Sequence, residues 1–83
     1  MVSIEELAAL FRGDEDSFGY AHSELIVEIC SRTAKSFKPS VEWVWGIVYP
    51  DVPKEKVPLE IQDMIVSGVK LWYRRGCPRK KAV

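Results

Sequence analysis

Three prolines in nine residues, in the segment PDVPKEKVP at 50–58, set the tightest limit on how this chain folds. Proline has no backbone N–H and a fixed φ, so the segment continues no regular helix and supports no strand ladder. Directly before it lies the densest apolar run, PSVEWVWGIVYP at 39–50, which holds two of the three Trp. Read with a period of two, Val41, Trp43, Trp45, Ile47 and Tyr49 share one side, a good strand pattern. Read with a period of 3.6, Glu42 and Gly46 form a single non-apolar stripe, Ser40 is the N-cap and Pro50 the stop. Periodicity does not choose between the two. Partnering does: a strand needs a second strand, and an isolated hairpin is marginal in water. The proline segment cannot supply that strand, whereas a helix needs only apolar faces on its neighbours. Residues 41–49 are therefore expected to be helical. At ~100° per residue, Trp43 and Trp45 then point in opposed directions.

Helical signals flank this run on both sides. Ser3 and Glu6 form the S-x-x-E capping box, with Val2 and Leu7 at the hydrophobic-staple positions. Leu7, Ala8, Leu10 and Phe11 give the apolar stripe, and Gly13 ends the helix. Asp16 or Ser17 is expected to cap a second helix over 18–37. Its apolar side carries Phe18, Leu25, Ile26, Ile29, Cys30 and Phe37; its polar side carries Glu24, Glu28, Arg32 and Lys35. His22 sits at the edge of the apolar side, the place of a boundary residue rather than of a ligand or base. The last helix, 58–75, opens at Pro58. Ile61, Met64, Ile65, Val69, Leu71, Trp72 and Tyr73 lie on its broad apolar side, and Gly76 and Pro78 stop it. The expected fold is all-α: a compact four-helix domain over residues 1–78, with a short central apolar third helix, a Pro-rich connector and a basic tail at 79–83.

A chain of 83 residues buries only about 60% of its unfolded surface, so its core must be rich in large side chains. Three Trp, three Tyr and three Phe meet that need. With 29% charged residues and no apolar run near the ~18 residues of a membrane span, neither a membrane partner nor disorder is expected. The acidic N-terminus reads as neither signal nor transit peptide, so a cytoplasmic setting is expected. Cys30 and Cys77 have no metal-ligand spacing and read as free thiols. RGD at 12–14 reads as a chance tripeptide at a helix end.

Net charge is zero but unevenly placed. Residues 1–28 carry Glu5, Glu6, Asp14, Glu15, Asp16, Glu24 and Glu28 against Arg12 alone. Residues 70–83 carry Lys70, Arg74, Arg75, Arg79, Lys80 and Lys81 and no acid. This reads first as dipole complementation and a solvated tail, and second as a handle for an acidic partner.

Chemistry-bearing patterns are sparse. Glu24 with Glu28, and Glu60 with Asp63, are carboxylate pairs one turn apart that could hold Mg²⁺ through oxygen. They resemble the ExxE and ExxD pairs of the all-α nucleotide pyrophosphohydrolases, which would imply a Mg-dependent enzyme. The first pair departs in spacing, and both pairs fall on solvent-side stripes. No Gly-rich phosphate loop is present, and one His gives little for a nucleophilic triad. A second alternative is a nucleic-acid-binding helix-turn-helix-like regulator, with Lys35 and Lys38 near the backbone and WVWG similar to the W-x-x-G that closes some repressor recognition helices. Residues 41–49 hold no Arg, Asn or Gln to read base edges. The leading expectation is a non-catalytic protein–protein interaction module (regulator, inhibitor or homo-oligomer) that needs no metal or cofactor. Its expected contacts are Trp43, Trp45, Tyr49 and Trp72, with Arg74 and Arg75 as rim charges.

Overall fold

A computed structural model describes residues 3–14, 19–33 and 38–79. They form four helices, α1 (Ile4–Arg12), α2 (His22–Ser31), α3 (Val41–Val48) and α4 (Leu59–Arg74), with a 3₁₀ turn at Lys54–Lys56. No strand occurs among the described residues. The fold is the all-α four-helix domain expected, with the short third helix and the Pro-rich connector in place. Val2, Asp16, Ser17, Phe18, Lys35, Phe37 and the tail residues 80–83 lie outside the described residues, and with them the staple and the expected cap of α2.

Helix α1 begins where its sequence says. The Ser3 side chain accepts from the Glu6 N–H at 3.1 Å, meeting one of the four donors that a helix N-terminus leaves unpaired. It ends in a Schellman turn: Gly13 at φ 82° donates to Leu10 O and Asp14 donates to Ala9 O. Helix α4 ends the same way. Gly76 at φ 84° donates to Tyr73 O, and Cys77 donates to Trp72 O.

Helix α2 is shorter than its apolar periodicity suggests. At the front, Gly19 at φ 84° and an extended Ala21 delay the start to His22. At the back, Ser31 Oγ donates to Val27 O and Thr33 Oγ1 donates to Cys30 O. Such hydroxyls compete for the carbonyls of the last turn. The chain leaves the helix at Arg32, so α2 stops well short of residue 37.

In α3, the Ser40 side chain accepts from the Trp43 N–H at 3.1 Å. Val44, Trp45 and Val48 are buried, while Glu42 and Gly46 are exposed. The non-apolar stripe of the helical reading is thus the outward one. The 3₁₀ turn is all the regular structure that the prolines allow before α4. Gln62 Nε2 steadies this connector by donating to Lys54 O and to Val57 O, each at 3.0 Å.

The core joins all four helices. Its wholly buried side chains include Phe11 from α1, Leu25, Ile26 and Ile29 from α2, Val44 and Val48 from α3, and Ile65 and Trp72 from α4. The most extensive seam runs between α2 and α4. Its closeness depends on Gly68: a Cβ built there would stand 2.4 Å from Ile26 Cβ and 2.6 Å from Ile26 Cγ2. No side chain fits at that distance, so the bare backbone at residue 68 sets how near the two helices lie.

Candidate interaction face

The two Trp of α3 part as the helical reading requires. Trp45 is 8% exposed and lies in the core, its ring 5.5 Å from that of Tyr49. Tyr49 in turn meets Phe11 edge-on at 6.4 Å, and Phe11 meets His22 edge-on at 5.4 Å. An aromatic line therefore runs from α2 through α1 to the end of α3. Lys54 Nζ sits 6.0 Å from the Trp45 ring centroid and closes the line on the connector side. Burial pushes the Tyr49 hydroxyl pKa up; Arg12 nearby opposes this and Asp14 adds to it. His22 takes the boundary place expected of it.

Trp43 lies on the other side of α3 and is half-buried. It shares that side with Gly46 and the half-buried Ile47, each reached within one turn, and with exposed Glu42. Among the described residues, no atom comes within 4 Å of a Cβ built at Gly46. The outer face of α3 is thus an aromatic ring and an Ile beside a bare stretch of backbone.

The other expected contact residues are scattered. Trp72 is wholly buried, 0% exposed, and its indole N–H donates to Pro78 O at 2.8 Å. Arg79 stacks over the same ring at 5.7 Å, and Tyr73 meets it edge-on at 4.9 Å. Arg74 is exposed. Arg75 forms a bidentate pair with Glu24, at 2.9 and 2.6 Å, across 51 residues of chain. The acidic and basic ends of the sequence therefore meet in the fold. That pair draws the Glu24 carboxyl pKa below its ordinary value near 4.5, first through the hydrogen bond from Arg75. Trp45 and Tyr49 come together; Trp72, Arg74 and Arg75 lie elsewhere on α4 and its end.

The RGD tripeptide is occupied internally. Arg12 Nε bonds Asp14 Oδ2 at 2.9 Å, Arg12 Nη1 donates to Val48 O at 2.9 Å, and Gly13 makes the turn between them. Arg12 thereby ties the end of α1 to the carbonyl of the last residue of α3. Cys30 is fully buried, and burial pushes its thiol pKa up to about 12, which keeps it protonated and unreactive. Cys77 is half-buried, and both cysteines are free.

The four carboxylates of the enzyme alternative are placed on solvent-facing positions. Glu24 bonds Arg75, Glu28 lies 3.6 Å from Arg32, and Glu60 and Asp63 are exposed. Among the described residues no three His, Cys, Asp or Glu are grouped to hold a metal ion. An open groove of about 390 Å³ lies between α1 and α2, lined by Leu7, Leu10, Tyr20, Leu25, Glu28 and Arg32 among others. Sequence reasoning missed it, because Tyr20 stands outside both apolar stripes. It also missed Gly46 and Ile47 as companions of Trp43, although a Gly three residues after a Trp on an apolar helix is a readable sign of a bare patch. No helix among the described residues is long and apolar enough to cross a membrane. No protein-family model, curated protein or solved structure matches this chain.

Proposed function

We propose that this chain is a non-catalytic protein–protein interaction module whose binding face is the outer side of α3. The observation that carries this reading is the division of that helix. Its inner side (Val44, Trp45, Val48) completes the core, while Trp43 and Ile47 stay part-exposed beside the open backbone of Gly46. A Trp next to an unfilled space offers a partner both a hot-spot ring and a place to insert a side chain. Of the expected contacts, Trp43 is the central residue. Trp45, Tyr49 and Trp72 act through the packing behind it, and Arg74 serves as a distant steering charge.

The test is site-specific photo-cross-linking in an extract of the cells that make the protein. A photo-reactive side chain placed at Gly46 meets open space in the fold, and one placed at exposed Glu60 serves as the control. Discrete protein adducts are expected from position 46 and not from 60. Equal labelling from both positions, or none from 46, refutes the reading.

A further inference from the structure

We infer that the C-terminal half of α4 carries a second binding surface, one that takes a single strand of nucleic acid. It goes beyond the reading of α3, rests on different residues, and does not use α3 as a recognition helix. Around the α4 axis, Lys70 and Arg74 stand about 40° apart, and Tyr73 stands about 60° from Lys70 on its other side. All three are exposed. The Tyr73 hydroxyl donates to Pro39 O at 2.7 Å, which brings exposed Lys38, one residue earlier, alongside this end of α4. Among the described residues no carboxylate pairs with Lys38, Lys70 or Arg74, whereas neighbouring Arg75 is taken by Glu24. Arg75 stands about 140° around the helix from Lys70, so Glu24 is held on another side. Along the same stripe the nearest acid is Asp63, seven residues and about 10 Å before Lys70. Helix α1, with Glu5 and Glu6, makes no contact with α4 among the described residues. On the Lys38 side the first acid is Glu42, in the opening turn of α3. Three cations against one acid leave the surface positive.

Charge alone would suit any polyanion; the ring among the cations chooses between them. Tyr73 is 40% exposed. It is also fixed, since Trp72 meets it edge-on at 4.9 Å and Pro39 O holds its hydroxyl. A fixed, part-open ring beside cations is a stacking platform for an unpaired base, with the flanking phosphates drawn to the ammonium and guanidinium groups. An acidic peptide would meet the charges and leave the ring unused. A duplex keeps its bases stacked on one another and cannot use the ring either. Three cations make a small site, so the binding is weak and strongly salt-dependent.

Fluorescence anisotropy of labelled oligothymidylate and oligouridylate of about 12 nucleotides, a length in the range of small single-strand sites, tests this on the full chain at rising salt. Three phosphate contacts predict a logarithmic salt slope of about −2. Lys70→Gln and Arg74→Gln should each make the slope shallower by about 0.7 and keep the parent melting temperature. Lys56→Gln, an exposed cation before the other end of α4, should leave the slope as it is. Tyr73→Phe keeps the ring and should bind like the parent, while Tyr73→Leu should weaken binding about tenfold at an unchanged slope. The two Gln variants alter exposed side chains alone, so they decide the matter even where Tyr73→Leu loosens the fold. No binding at the lowest salt overturns the inference, as does a slope that neither Gln variant changes. Polyglutamate or a duplex bound as tightly as the single strand also overturns it and assigns the charges to an acidic protein face or to plain polyanion attraction. Adducts from position 46 bear only on the α3 face, so either reading can fail while the other stands.

Discussion

Two glycines within helices mark opposite conditions in this small domain. At Gly68, in the seam between α2 and α4, a Cβ would collide with Ile26 at 2.4 Å. At Gly46, on α3, a Cβ would meet nothing within 4 Å among the described residues. Glycine is costly inside a helix for the same entropic reason in both places. At residue 68 that loss is offset by close helix packing. At residue 46 no packing among the described residues offsets it. The contrast teaches where the fold is complete in itself and where it presents bare backbone outward.

The contrast breaks most visibly on the packed side. Gly68→Ala should destabilise by about 2–3 kcal/mol, as overpacking does in a filled core, because the clash is with Ile26 Cβ and relief requires the helices to part. Combining it with Ile26→Gly, which moves the glycine across the seam, should cost less than the sum of the two single changes. Chemical denaturation of the four proteins measures this; strict additivity would show that the two residues are not in the contact described.

A smaller effect is expected where α4 meets the segment before α3. Tyr73 Oη donates to Pro39 O at 2.7 Å and ties the approach to α3 onto α4. Tyr73→Phe leaves a carbonyl of buried Pro39 unpaired and should cost about 1 kcal/mol. On the open side the sign reverses. Gly46→Ala should stabilise the domain by about 0.5–1 kcal/mol, the helix-propensity gain with no steric offset. A stability loss there would mean that the face is covered within one chain after all.

The least effect concerns the Glu24–Arg75 pair that spans α2 and the end of α4. Its folded carboxyl pKa lies below the ordinary value near 4.5. The pair's contribution is thus full above that ordinary value and is lost as pH falls through the lowered one. Melting temperatures between about pH 6 and pH 2 should drop less steeply for Arg75→Gln than for the parent. Because both groups are solvent-exposed, salt should blunt the difference.

What the sequence disclosed follows from the range of the forces involved. Caps are local, so Ser3, Gly13, Ser40 and Gly76 were legible from their neighbours alone. The helical state of 41–48 was legible by elimination, since the prolines removed the only strand partner. The limits of α2 were not, because a long apolar period extends on paper past the points where Gly19, Ser31 and Thr33 redirect the backbone. Gly68 was invisible for a different reason: its role depends on Ile26, which is far off in the chain and comes near only in the fold. The candidate face was half legible. Opposed Trp side chains followed from helical geometry, but which one faces out depended on where the other three helices lie. Trp72 looked as available as Trp43 until the fold placed it behind Pro78 and Arg79.

That enclosure of Trp72 has an optical consequence. The three indoles occupy three settings: one half-buried on α3, one packed in the core at a tilt to Tyr49, and one closed in with its N–H bonded and a guanidinium overhead. Release of residues 77–79 from α4 would expose a single indole while the other helices stayed packed. Emission from a chain with Trp43 and Trp45 replaced by Phe would respond to that event and to global unfolding alike, so a shift that precedes the loss of helical circular dichroism marks the release. Read beside circular dichroism, the indole of Trp72 thus distinguishes fraying of the C-terminal end from global unfolding.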